Sequence, residues 1–411
     1  MIEPKTFYRE LDAILDKIGT QRSDKNFFII ILNELGQRFG DSLNIHDAHV
    51  YEQRGDEFVF IDTPIGRRDS SITKKIPIDL EWVQRVLEGG SVIYDTPESF
   101  QDFDLQIDRR RYTPASILVH NPVRKWLLVF ELKQGWVREE VMLFLNSVRM
   151  ALNYRLFSEM MKSDLKRAEQ IQKSLLPRDA PKIKGYDIFG HSQPAEVVGG
   201  DFYDYFEFGE DDFGGCIGDA SGHGLPAALL VRDVVIGLRM GLAKEMRLVY
   251  TLDKLNQVIQ RSTYSTNFVS IFIGEIESNG HLFYVNAGHP PPFLVCGDRV
   301  YDLEATGITL GFMPEIDLRR SYIRLEKDSV LVLYSDGIVE RQKTEEEQFG
   351  IDRLKEFVIA NKDKSAKEIV ESVFKTVYNF ANRASWEDDA TMVVIKRLSE
   401  QNIGGRDGDV T

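Results

Sequence analysis

The chain has 411 residues, 43% hydrophobic and 28% charged, a globular balance with room for two or three domains. Its formal net charge of −14 argues against a nucleic-acid partner, because a phosphate backbone needs a basic footprint. Two cysteines, Cys216 and Cys296, build no disulfide framework and point to a reducing cytoplasm; no leader-like segment opens the sequence, and no apolar run approaches ~20 residues, so no membrane span is expected.

Apolar residues at helical spacing predict helices over 7–20 (Leu11, Ile14, Leu15, Ile18) and 26–39 (Phe28, Ile31, Leu32, Leu35). Residues 49–63, "HVYEQRGDEFVFIDT", alternate apolar and polar positions around Arg54-Gly55-Asp56 and predict a hairpin. "SVIYDT" and "SILVHNPVRKWLLVFEL" predict further strands, the second pair turning at Asn121-Pro122. Strands between flanking helices describe one α/β domain over 1–137. Trp82, Trp126 and Trp136 are expected to pack within it.

From Arg138 to Leu176 no Pro or Gly occurs, and apolar residues recur at steps of three and four from Val141 to Leu175. A helix of that length extends to about 58 Å. It is read as a connector over 138–177, and as a paired helix in a homodimer. The alternative is two ordinary helices with a bend near Ser158.

Beyond Tyr186 strand-like runs dominate, with helical patterns at 225–242, 251–262, 351–361 and 366–382. Strands and helices in separate blocks predict an α+β domain over 178–398, a two-sheet sandwich covered by helices. The polar, glycine-rich tail 399–411 is expected to be disordered.

Four aspartates fall where apolar runs meet loops: Asp201 after Gly199-Gly200, Asp219 closing "FGGCIGD", Asp336 closing "SVLVLYSDG", and Asp388 opening "DDATMVVI". Each alone is compatible with an ordinary turn or strand end. If the strand ends converge, divalent cations resolve the cost of gathering buried carboxylates. All-oxygen ligands suit Mg²⁺ or Mn²⁺. "GDASGHG" lacks the lysine of a phosphate-cradling P-loop.

"VVGGDFYDYF", "GDASGHGLPAALL", "NAGHPPPFLV", "LYSDGIVE" and "EDDATMVVI" occur in that order. Together they resemble the bacterial PPM-type (type 2C-like) serine phosphatases, in particular the sigma-factor-regulating subgroup. The likeness covers about residues 168–397 and implies a β-sandwich flanked by helices (αββα) with a two-metal centre at one edge. Carried onto this chain, it implies that Asp219 bridges both cations and that the Ala220 carbonyl adds a ligand. Asp336 and Asp388 would complete the first cation, and Asp201 would hold the second or its water. It further implies two divalent cations, Mn²⁺ or Mg²⁺, which activate water for in-line attack on phosphorus without a covalent enzyme intermediate. The implied substrate is a phosphorylated regulatory protein, an anti-anti-sigma factor. Many family members carry an arginine upstream of the first motif; "HSQPAEVVGGD" has none. Asp204 and Asp389 are weighed as neighbours of the ligands, His223 as a proton donor or helix-start residue, and Asn286 and His289 as turn residues. Residues 1–137 resemble a GAF-like sensor domain in the order of elements alone. A non-catalytic signalling scaffold and a small-metabolite phosphatase are the competing readings; retention of all four aspartates favours a catalyst.

Overall fold

The computed structural model describes residues 25–65, 73–96, 110–208, 212–242, 247–262, 268–344, 346–382 and 384–399, with a few isolated positions before 25 and between 97 and 109. The helix expected over 7–20 and the tail expected over 399–411 lie, but for scattered residues, outside these. The chain divides into two compact units, Met1–Ser163 and Asp164–Thr411.

The first unit runs α1 (Lys25–Phe39), β1 (Ile45–Arg54), β2 (Glu57–Ile65), β3 (Lys75–Pro77), α2 (Glu81–Gly89), β4 (Ser91–Ile93), β5 (Tyr112–His120) and β6 (Lys125–Lys133). Helix α3 (Arg138–Leu175) follows. The strands form one antiparallel sheet in the order β3-β2-β1-β6-β5-β4. Period-two alternation sorts its side chains. Ala115, Ile117 and Val119 of β5 join Leu128 and Phe130 of β6, α1 and the first half of α3 in one core. Leu118, Leu127 and Val129 face the other way, onto Trp82, Val83 and Val86 of α2. The β1–β2 turn needs Gly55, whose φ is 63°. Asn121 accepts the N–H groups of Val123 and Arg124 at 2.9 and 2.7 Å, making the expected β5–β6 turn. Trp82 and Trp126 are buried, and Trp136 packs on the core with Nε1 donating to Thr113.

The stretch after Arg138 is one helix, not two. The first unit's core takes up Val141, Phe144, Leu145, Val148, Leu152 and Leu156. The apolar series starting at Val141 is therefore occupied inside its own unit. A different stripe faces solvent: Met150, Tyr154, Phe157 and Met161, with exposures of 65%, 77%, 47% and 44%.

The second unit continues with β7 (Tyr186–Gln193), β8 (Asp201–Glu207), β9 (Phe213–Ala220), α4 (Gly224–Leu242), α5 (Leu248–Ser262), β10 (Val269–Ile276), β11 (His281–Ala287), β12 (Phe293–Cys296), β13 (Arg299–Asp302), β14 (Ser321–Arg324) and β15 (Val330–Tyr334). Then come the short α6 (Asp336–Val339), a small hairpin of β16 (Gln342–Thr344) and β17 (Glu347–Gln348), α7 (Ile351–Ala360), α8 (Ala366–Phe380) and β18 (Ala390–Arg397). Two five-stranded sheets form, β14-β11-β10-β9-β8 and β13-β12-β15-β18-β7. Alternation again assigns each face. Ile217, Leu331, Leu333, Val393 and Ile395 fill the space between the sheets. Cys216, Ile271 and Ile273 meet α4 and α5 behind the first sheet, while Val330, Val332, Met392 and Val394 meet α7 and α8 behind the second. Each such fully buried side chain contributes about 1.5–3 kcal/mol. The layers read helix, sheet, sheet, helix: the α+β sandwich expected from the strand and helix blocks.

Candidate metal centre

β8 and β9 lie antiparallel with Asp201 directly opposite Asp219. From the second sheet β15 ends at Tyr334, Ser335 follows, and Asp336 opens α6. Asp388 and Asp389 stand just before β18, which pairs along β15 with Met392 opposite Tyr334. The Ser335 hydroxyl joins the sheets: it donates to Asp201 Oδ2 at 2.6 Å and accepts the Thr391 N–H at 2.8 Å. Asp389 ties a third segment in, accepting Gly200 N–H on Oδ2 at 2.6 Å and Ala195 N–H on Oδ1 at 2.8 Å.

The site is electrostatically loaded. Burial pushes Asp219 up to about 7, with further elevation from Asp336, Asp388 and Asp389. Asp201, 4% exposed, is raised well above the carboxylate range, first by burial and then by Asp219; hydrogen bonds from Ser335 and Thr391 oppose the shift. Asp336 is raised by burial and by Asp388. Three carboxyls raised first by burial and then by a neighbouring carboxylate mark a place where positive charge is stabilised.

The donor set fits hard divalent cations: carboxylates and a carbonyl, with no thiolate or imidazole among the mutually coupled groups. Gly200 keeps the approach clear, since a Cβ there would stand 2.6 Å from the Ala220 oxygen and 3.0 Å from Asp219 Oδ1. Gly337 is equally constrained, because a Cβ would run into the Asp389 carbonyl. Among the described residues no three acidic, imidazole or thiol groups already close into a metal cage. The carboxylates are neighbours held by their strands, Asp219 opposite Asp201 in one sheet and Asp336 and Asp388 at the adjoining ends of β15 and β18 in the other.

Asp204 does not join the cluster. It is three residues along β8, and its carboxylate accepts from Arg239 Nε of α4 at 2.7 Å. His223 is exposed just before α4 and pairs with Glu196 at 3.1 Å. Glu196 belongs to the stretch where many family members carry arginine. Two groups were missed from sequence. Ser335 sits inside "YSDG", where the adjacent aspartate draws the eye. Gln172, near the end of α3, accepts the Gly199 N–H at 3.0 Å and its amide donates back to the Gly199 carbonyl. A half-buried glutamine in a charged helical stretch leaves no periodic trace.

Residues 209–398 match the family model described as Stage II sporulation protein E (SpoIIE). The chain is similar to phosphoserine phosphatase RsbU of Bacillus subtilis, 28% identical over 239 residues, which cover 57% of this chain and 70% of that one. It is similar to Protein IcfG of Synechocystis sp., 28% identical over 264 residues, 57% of this chain and 41% of that one. Among solved structures, the SiaA-PP2C domain of Pseudomonas aeruginosa shares the fold at a TM-score of 0.52 and 20% identity, covering 58% of this chain and 97% of that one.

Proposed function

From the match of residues 209–398 to the SpoIIE family model, we propose that this protein is a metal-dependent protein serine/threonine phosphatase acting on a phosphorylated regulatory protein, an anti-anti-sigma factor. The observation that carries this reading is the gathering of Asp201, Asp219 and Asp336 at one edge of the sandwich, each raised first by burial and then by a neighbouring aspartate, with Asp388 beside them. A scaffold gains nothing from buried like charges, which cost stability unless a cation uses them.

Asp219, the Ala220 carbonyl, Asp336 and Asp388 would hold one cation, and Asp201 with Asp219 the second. Two such ions, Mn²⁺ or Mg²⁺, supply an acidified water and neutralise phosphoryl oxygens. The protein's own contribution is positional. Ser335 fixes Oδ2 of Asp201, which stands opposite Asp219 in the β8–β9 pair. Asp389 anchors the 195–200 loop, so that Gly200 and Asp201 meet β9 in register. With no arginine in the 191–201 stretch, the substrate's phosphate is read chiefly by charge at the metal centre.

The first unit is proposed as a GAF-like sensor over 1–137 and α3 as the connector over 138–177 that pairs two copies, through Met150, Tyr154, Phe157 and Met161. No described helix is long and apolar enough to cross a membrane; a cytoplasmic site of action is part of the proposal. The test is hydrolysis of a chromogenic phosphate monoester with and without Mn²⁺, then of phosphoserine proteins. Metal-dependent turnover that Asp219→Asn abolishes supports the reading. A folded wild type without turnover on either substrate favours the scaffold.

A further inference from the structure

His289 of "NAGHPPP" is 2% exposed and makes three directed contacts. Its ring Nε2 lies 3.2 Å from the Tyr334 carbonyl, its Nδ1 2.9 Å from Ser270 Oγ, and its backbone N–H donates to Asn286 Oδ1 at 2.9 Å. A carbonyl only accepts, so Nε2 carries the hydrogen; Nδ1 is then the acceptor, and Ser270 donates to it. The ring is a neutral strut of fixed tautomer. Asn286, fully buried, holds its base through the Leu303 carbonyl at 3.1 Å.

The two ends of the strut are informative. Ser270 lies on β10 directly opposite Asp219 of β9. Tyr334 ends β15, two residues before Asp336. β10 and β15 belong to different sheets. The imidazole therefore spans the sandwich at the level where each sheet delivers a carboxylate. A turn residue needs none of this; its backbone bond to Asn286 would suffice.

We infer that His289, braced by Ser270, is a positioning residue that sets the separation of Asp219 and Asp336. This rests on the reading of those carboxylates as cation ligands. Residues that orient ligands typically change metal affinity about 10–100-fold when replaced.

The experiment is Mn²⁺ binding followed by electron paramagnetic resonance on the full chain, for wild type, Ser270→Ala, His289→Gln, His289→Ala and Asp219→Asn, beside phosphomonoester kinetics. Ser270→Ala removes the brace with little risk to folding. It should weaken Mn²⁺ binding about tenfold and raise the Mn²⁺ needed for half-maximal rate by the same factor, with KM for the monoester unchanged at saturating metal. Glutamine can still donate to the Tyr334 carbonyl, so His289→Gln should fall between wild type and His289→Ala. Unaltered Mn²⁺ binding in folded Ser270→Ala and His289→Gln overturns the inference, as does a loss of rate that tracks melting temperature alone. Wild type that binds no Mn²⁺, or binds it equally in Asp219→Asn, instead sinks the metal-centre reading beneath it.

Discussion

The Asp389 carboxylate caps the backbone of Gly200, one oxygen taking the Gly200 N–H at 2.6 Å while the other takes Ala195 N–H at 2.8 Å. A residue just before the last strand thus fixes the segment that delivers Asp201. Asp389→Ala leaves these donors without that acceptor, which costs about 1–3 kcal/mol for a buried group. The expected result is an unfolding free energy, from urea titration, lower by that amount and a Mn²⁺-dependent rate down at least about tenfold. Equal rates at saturating Mn²⁺ would show that Asp201 holds its place without Asp389.

The elevation of Asp219 predicts how metal and pH interact. An acid raised from 3.8 to about 7 keeps its proton longer folded than unfolded. Stability from this group is present below the lower value and lost as pH rises through the upper, at up to about 1.4 kcal/mol per unit. Cations replace the proton. Thermal melts should therefore show a larger stabilisation by Mn²⁺ at pH 8 than at pH 5. Metal-free Asp219→Asn should melt above wild type at pH 8 and respond little to Mn²⁺.

His289 carries the opposite sign. Burial lowers it to about 3, so below 6.5 the unfolded chain takes up a proton that the folded chain refuses. Its stability contribution is intact above 6.5 and declines as pH falls toward 3. Between pH 6.5 and 5 wild type should lose roughly 2 kcal/mol more than His289→Gln, measured by urea unfolding at both values. Parallel losses would mean that the ring titrates freely.

Exposed Met150, Tyr154, Phe157 and Met161 follow i, i+4, i+7, i+11 spacing, the seam of a paired helix. Tyr154→Glu combined with Phe157→Glu should convert a dimer to a monomer by light scattering at micromolar protein, with the melting transition of the first unit preserved. A wild type that is monomeric at high concentration removes the pairing.

Much of this was legible in the chain. Continuous apolar runs such as "SVLVLY" predict buried strands because both faces of each sheet are covered, and the order of the aspartates marks loop junctions. The layout of the contacts was not legible. Ser335 reaches Asp201 across 134 residues and Asp389 reaches Gly200 across 189, separations over which no local pattern carries information. The connector shows the same limit. Steps of three and four reveal an apolar helix but not which stripe its own core consumes, and the series from Val141 to Leu156 turned out to be internal.

β18 lies beside β7 over eight residues, from Ala390 opposite Gln193 to Arg397 opposite Tyr186. The strand that joins β15 to β7 in the second sheet is thus the last of the described strands in chain order. A chain cut back to before residue 388 keeps three of the four aspartates, and one cut between 388 and about 397 keeps all four but lacks the full seam that seats Asp388. On the reading of these aspartates as cation ligands, both truncated forms should bind Mn²⁺ poorly, and the metal site is assembled only once the final seam closes.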